Sequence, residues 1–341
     1  MSTRFPAEWE AQDGVLLAWP HPETDWHPYI DRVEPVFVRI VEAICRFERA
    51  LVVAHDREHV RKVLEAGGVP MDRVTLVEIP SNDTWARDFG PITVEQDGKP
   101  YILDFGFNGW GLKFPSNLDN QITAELHELG IFGQTPREIV GMIFEGGGIE
   151  SDGAGTLLTT SECLENCNRN PHLERSQIEA QLKELLGAQH ILWLENGYLA
   201  GDDTDSHVDT LARLCPDDSI LYQRCDDPQD EHYGALTAME EELRAFRTQE
   251  GKPYRLIPLP WPEAKFDEEG ERLPATYANY LIINGAVLLP VYEDPRDAQA
   301  IEAAQLAFPD RQILPIDCSA LILQHGSLHC VTMQLPKGVL A

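Results

Sequence analysis

The sequence predicts an α/β protein of five pseudo-symmetric ββαβ units set around one axis as a five-bladed propeller. Three observations carry that expectation. Short β-branched runs alternate with amphipathic helical stretches along all 341 residues. The alternation is not plain βα, because each unit opens on a hairpin. The hairpins recur, starting near residues 14, 88, 145, 207 and 276. Plain βα alternation would suit a doubly wound sheet or barrel, whereas a recurring extra hairpin favours radial repetition.

The elements follow in order. GVLLAWP (14–20) is the first strand. A helix follows over 30–47, with Val33, Phe37, Ile40, Val41 and Ile44 spaced to put one face on the core. ALVVAH (50–55), a short helix at 58–67 and RVTLVEIP (73–80) come next. PITV (91–94) and YILDF (101–105) form a second hairpin ahead of a helix at 119–131. TLLTT (156–160), a helix at 172–186 and HILWLE (190–195) belong to a third unit, SILYQR (219–224) and a helix at 231–248 to a fourth. YLIING (280–285), AVLLPVY (286–292) and a helix at 295–308 make the last. Gly and Pro punctuate these runs without a low-complexity linker, so a single catalytic domain over 1–341 is expected.

The charge is lopsided: 27 basic against 57 acidic residues, a net −30. Such a chain is a poor partner for nucleic acid or an anionic membrane, both of which select a basic face. It suits a small cationic ligand, whose approach a negative field accelerates. The N-terminal MSTRFPAEWEAQDG has no signal-peptide hydrophobic region, and no run approaches membrane-spanning length. Seven scattered cysteines do not form a disulfide framework. These features lead to the expectation of a reducing cytoplasm.

Four clusters carry chemistry: Asn82 to Pro91 (NDTWARDFGP), Glu145 to Gly148 (EGGG), Asp202 to Asp209 (DDTDSHVD) and Gly326 to Thr332 (GSLHCVT). Their spacing follows the repeat. Glu145 comes 57 residues after Asp88, His207 62 after Glu145, and Cys330 123 after His207, about two further intervals. Equivalent points of successive units would then converge on the axis. Taken singly each cluster is ordinary: a lone cysteine is usually a small buried hydrophobe. His-x-Asp would place His207 and Asp209 on one face of a strand, and His329 would point away from Cys330. A metal is poorly supported, since Cys163-x-x-x-Cys167 has no second half. EGGG is neither a dinucleotide nor a phosphate-binding fingerprint. Together the clusters offer a thiol nucleophile, a histidine to move protons, and carboxylates able to hold a planar cation bidentately.

At these residues the sequence resembles the agmatine deiminase family, also described as peptidyl-arginine-deiminase-like. WARDFGP, EGGG, DDT-x-x-H-V-D and G-x-L-H-C-V-T match in order, supported by Asn168-Arg169-Asn170-Pro171 and Asn284-Gly285-Ala286-Val287. The resemblance spans nearly the whole chain. It implies the pentein fold of guanidino-group-modifying enzymes and hydrolysis of agmatine to N-carbamoylputrescine and ammonia, without metal or organic cofactor. By resemblance Cys330 attacks the guanidinium carbon. His207 protonates the departing ammonia and then activates water on a covalent thiouronium. Asp88 and Asp209 hold the guanidinium nitrogens, Glu145 supports the charged histidine, and Trp85 walls the channel. The sequence departs from the family pattern at Ser206, where Gly is common, and at Ser327 and Met333 beside the nucleophile. A bound cation should lower the thiol pKa that the surrounding carboxylates otherwise raise. Deimination of arginine or peptidyl-arginine, amidino transfer to an amine, and a non-catalytic guanidino- or polyamine-binding protein are the alternatives. A homodimer is the default assembly.

Overall fold

A computed structural model describes residues 2–341. Five sheets repeat one pattern: an antiparallel pair, a helical crossover, then a parallel strand. Ile92–Gln96, Lys99–Gly106 and Arg137–Ile143 form one, with Thr3–Arg4 added at its edge. Ile149–Ser151, Thr156–Thr160 and His190–Leu194 form the next; Ala212–Cys215, Ser219–Gln223 and Arg255–Leu259 another. Leu281–Ile283, Ala286–Val291 and Gln312–Asp317 form the fourth. In each, the first two strands are antiparallel and the third runs parallel after the crossover that parallel pairing requires.

The fifth sheet corrects one expectation. Gln12–Ala18 does not begin a local hairpin. Its antiparallel partner is Met333–Pro336, more than 300 residues on, while Arg49–Ala54 and Val74–Glu78 continue the sheet in parallel. The unit that opens the ring is therefore completed by a strand from the far part of the sequence.

All six predicted helices form, most of them shorter than expected, while the one expected at 58–67 is shifted by one residue to Arg57–Ala66. Ile30–Cys45 buries Val33, Phe37, Ile40, Val41 and Ile44, the predicted face. Arg57–Ala66 starts at Asp56, whose carboxylate accepts the backbone N–H groups of Glu58 and His59. The strands that escaped sequence reading include Arg255–Leu259, Gln312–Asp317 and Met333–Pro336. Each contains a proline and lies at a sheet edge, where a missing N–H breaks no ladder.

A turn immediately precedes the first strand of every unit, and these turns hydrogen-bond to one another in a cycle. Gly147 N donates to Asp88 Oδ1 (3.0 Å) and His207 Nε2 meets Glu145 Oε2 (2.8 Å). Thr276 Oγ1 donates to Thr210 O (2.8 Å), and Cys330 N to Asn279 Oδ1 (3.2 Å). Arg87 N donates to Cys330 O (3.1 Å) and closes the cycle. The five-fold order expected from spacing thus lies in the linked turns, since no single sheet runs around the molecule. Among the described residues no helix is long and apolar enough to cross a membrane.

Candidate active site

Each predicted cluster occupies one of those turns. Asp88 sits in the single-turn helix Ala86–Phe89, and Glu145 just before the 3-10 turn Gly146–Gly148. His207 precedes a second 3-10 turn, Val208–Thr210, which holds Asp209. The strand-face reading of His207 and Asp209 is therefore incorrect, although the turn still brings both inward. Glu145, His207, Asp209, Asp88 and Cys330 are all buried.

The glycines of EGGG are required by close approach. A Cβ on Gly147 would lie 2.4 Å from His207 Nδ1 and 2.9 Å from Asp88 Oδ1. Gly146 has Arg87 O against the same position, at 2.3 Å. Three sites of the predicted set can thus crowd round a backbone without side chains. Ser206, at φ 60°, occupies the left-handed region that explains the family's glycine; its hydroxyl is held by Glu162 (2.8 Å) and Gly197 O (3.1 Å).

The histidine is held from one side and open on the other. Glu145 grips Nε2, and Arg169 grips Glu145 through Nε and Nη2, at 3.0 and 2.8 Å. Asp205 takes the remaining Arg169 arm at 2.6 Å. His207 Nδ1 lies 3.6 Å from Asp88 Oδ1 and has no hydrogen-bond partner. Burial opposes charge on His207, but Asp88, Cys163 and Glu145 outweigh it and hold its pKa well above the ordinary imidazole range. Burial, partly offset by His207 and reinforced by the charges of Glu145 and Asp209, pushes Asp88 up to about 6. Burial and the charges of Asp209 and Asp88 drive the Cys330 thiol well above its usual range.

Cys330 and Asp88 line the floor of a cleft, with Trp85 along one wall. Trp85 also fixes Gly326, where a Cβ would fall 2.2 Å from the indole ring. Asp25, Asp83 and Asp203 line the cleft farther out; none of its described lining residues is Lys or Arg. His207, Glu145 and Asp209 are not among its lining residues; His207 adjoins the cleft through Asp88, 3.6 Å away.

Several site residues escaped the sequence reading. Trp110 lines the cleft and donates its indole N–H to Asp88 Oδ2 (2.9 Å). Asn279 contacts the thiol of Cys330, with Oδ1 3.4 Å from Sγ. A signal for it existed: the hairpin near 276 is the one unit skipped between His207 and Cys330. His329 does not point away from the site. Its Nδ1 meets Asp209 Oδ2 (2.7 Å) and its Nε2 meets Glu8 Oε2 (2.8 Å). Cys330 lies in a turn rather than a strand, so the alternation rule did not apply.

Two groups bring ligand-type atoms within 4.8 Å: Glu145, Cys163 and His207, and Glu8, Glu150 and His329. In both an arginine already supplies the cation, Arg169 on Glu145 and Arg213 between Glu8 and Glu150. Buried atoms here without a hydrogen-bond partner include the donors Asn279 Nδ2 and Arg87 Nη2, and His207 Nδ1 and Asp209 Oδ1, which are able to accept or carry a proton. Such atoms, beside a thiol and two carboxylates, can hold and attack a planar cation.

Known proteins are similar to this chain in sequence and share its fold. A solved structure from Porphyromonas gingivalis, provisionally described as an arginine deiminase, is 52% identical with a TM-score of 0.94, covering 99% of this chain and 100% of that one. A cysteine-to-serine variant of C. jejuni agmatine deiminase, solved with substrate bound, is 37% identical with a TM-score of 0.91, covering 99% and 97%. The agmatine deiminase of Pseudomonas syringae pv. tomato is 36% identical over 97% of this chain and 95% of its own length. The sequence pattern of one family runs through residues 4–336, and by that match the chain belongs to the Porphyromonas-type peptidyl-arginine deiminase family.

Proposed function

We propose that the protein is an agmatine deiminase acting in the cytoplasm as one catalytic unit over residues 1–341. The observation that carries this reading is the cleft's lining. Its floor holds a thiol and a carboxylate, and its outer wall holds Asp25, Asp83 and Asp203 with no described Lys or Arg. That wall attracts a second positive charge, such as agmatine's amine, and repels the α-carboxylate of arginine. The full-length relatives named agmatine deiminase support the same substrate.

In this mechanism Asp88 and Asp209 orient the guanidinium over Cys330, converting a bimolecular attack into a positioned one. The arriving cation favours the thiolate, and the thiol proton leaves to solvent. Cys330 Sγ forms a bond to the guanidinium carbon. His207, protonated through Asp88 and Glu145, gives its proton to a nitrogen, the C–N bond breaks, and ammonia departs. Neutral His207 then takes a proton from water. The hydroxide forms the C–O bond, the C–S bond breaks, and the hydroxyl proton passes to the leaving sulfur, so N-carbamoylputrescine leaves with the Cys330 thiol restored. Ammonia collects the proton released at the start.

The test is ammonia release from agmatine, arginine and an arginyl peptide side by side, with Cys330→Ser as control. Release from agmatine alone, lost by at least about 10⁴-fold in Cys330→Ser, is expected. Faster release from arginine or the peptide reassigns the substrate. Agmatine protection against iodoacetamide without ammonia release makes the protein a binder.

A further inference from the structure

Asn279 stands in the turn before Leu281–Ile283, the fourth of the linked turns and the one that contributed no sequence motif. Its side chain is fully buried. Oδ1 accepts the backbone N–H of His329 (2.9 Å) and of Cys330 (3.2 Å) and lies 3.4 Å from Cys330 Sγ. Two backbone donors on one oxygen settle the amide's orientation: a flip would set NH₂ against two N–H groups. The atom facing the thiol is therefore a locked acceptor. Asn279 O also accepts from His329 N (3.1 Å), so residue 279 clamps the nucleophile turn by main chain and side chain together.

We propose that Asn279 is a positioning residue that aims the Cys330 thiol and keeps it protonated until a cation arrives. An oxygen acceptor can hydrogen-bond S–H but not S⁻, so it favours the thiol. The two carboxylates facing Cys330 act in the same direction, Asp88 from its single-turn helix and Asp209 from the second 3-10 turn. Tyr292, just past Ala286–Val291, has its own pKa pushed well above the ordinary range and stays neutral there. His329, next in the chain, is turned to Asp209 and Glu8. A thiol held in this way resists oxidation and stray electrophiles. Once the guanidinium releases it, its thiolate is the more nucleophilic for its high basicity. Asn279 thus adds to the proposed deiminase reaction a rule about when the nucleophile is armed.

The experiment measures iodoacetamide inactivation against pH for free wild-type enzyme, Asn279→Ala and Asn279→Asp, together with kcat and KM for agmatine. Alanine removes the acceptor, so its inactivation profile should move to lower pH by about 1 unit. Its kcat should fall about 100-fold through mis-aiming, with KM changed less than about threefold because both carboxylates remain. Aspartate keeps both backbone bonds and adds negative charge, so its profile should move to higher pH. If alanine proves unfolded, the aspartate variant alone decides. Profiles that overlay wild type in the folded variants overturn the proposal and leave Asn279 as scaffold. The alkylation arm needs no substrate, so it stands or falls apart from the deiminase reading, which the ammonia assay tests separately.

Discussion

His207 presents its two ring nitrogens to opposite tasks. Nε2 is committed to Glu145, which Arg169 holds in place, while Nδ1 faces Asp88 and the cleft floor without a partner. Because Glu145 helps to raise the imidazole's pKa, Glu145→Gln should lower it. In the proposed reaction the histidine is protonated to release ammonia, so the alkaline limb of kcat should move to lower pH in that variant, with kcat down about 10²-fold. A pH series of ammonia release checks both. At this scale the sequence was most readable where chemistry demands a residue type: Cys330, His207, Asp88 and Glu145 all meet where their spacing implied. It was least readable for residues that act by hydrogen bond alone. Nothing in a single Asn or Trp distinguishes Asn279 or Trp110 from any buried polar or aromatic residue until its neighbour is known.

The turn Gly109–Leu112 is wound in the left-handed sense. Gly109, Trp110, Gly111 and Leu112 all have positive φ, and Leu112 N and Lys113 N donate to Asn108 O and Gly109 O. Two of these residues carry a Cβ that this conformation disfavours, by about 1–2 kcal/mol each. The turn persists because its ends are tied. Trp110 is bonded to Asp88, and Lys113 bridges to Asp203 O (2.6 Å) and Asp205 (2.8 Å) on the opposite side of the cleft. Leu112 itself is 73% exposed, so its side chain contributes little packing. Leu112→Gly should therefore stabilise the protein by about 1 kcal/mol in denaturant melts, without loss of ammonia release. Helices were legible because a three-and-four apolar period is long and redundant. Short strands were not. Ile149–Ser151 offers three residues, and the proline-bearing edge strands contradict the propensity that would reveal them.

Arg213 lies fully buried where four of the five units meet. It pairs with Glu150 and, at 2.8 Å, with Glu8; it donates to Tyr280 O (2.6 Å) and meets His329 Nε2 (3.1 Å). Removing one member of such a set leaves buried charge uncompensated. Arg213→Met should cost about 3–5 kcal/mol in urea melts and reduce activity through Asp209, which His329 supports. The recurrence of the unit was legible from its period, because repeated units leave a repeated interval; the ring expected from it is seen here as the cycle of linked turns. Its closure was not, since pairing between Gln12–Ala18 and Met333–Pro336 has no local signature.

That closure orders events during synthesis. Asp88, Glu145, His207 and Asp209 leave the ribosome well before the turn carrying Cys330, and the strand that seats that turn is made after it. A nascent chain at that stage can expose its carboxylates and its unpaired Gln12–Ala18 edge, but it lacks Cys330, the nucleophile of the proposed reaction. The first strand must wait, open on one side, for a partner translated some three hundred residues later. Folding should therefore be slow and reliant on chaperones, and a stalled or truncated chain is unable to consume substrate.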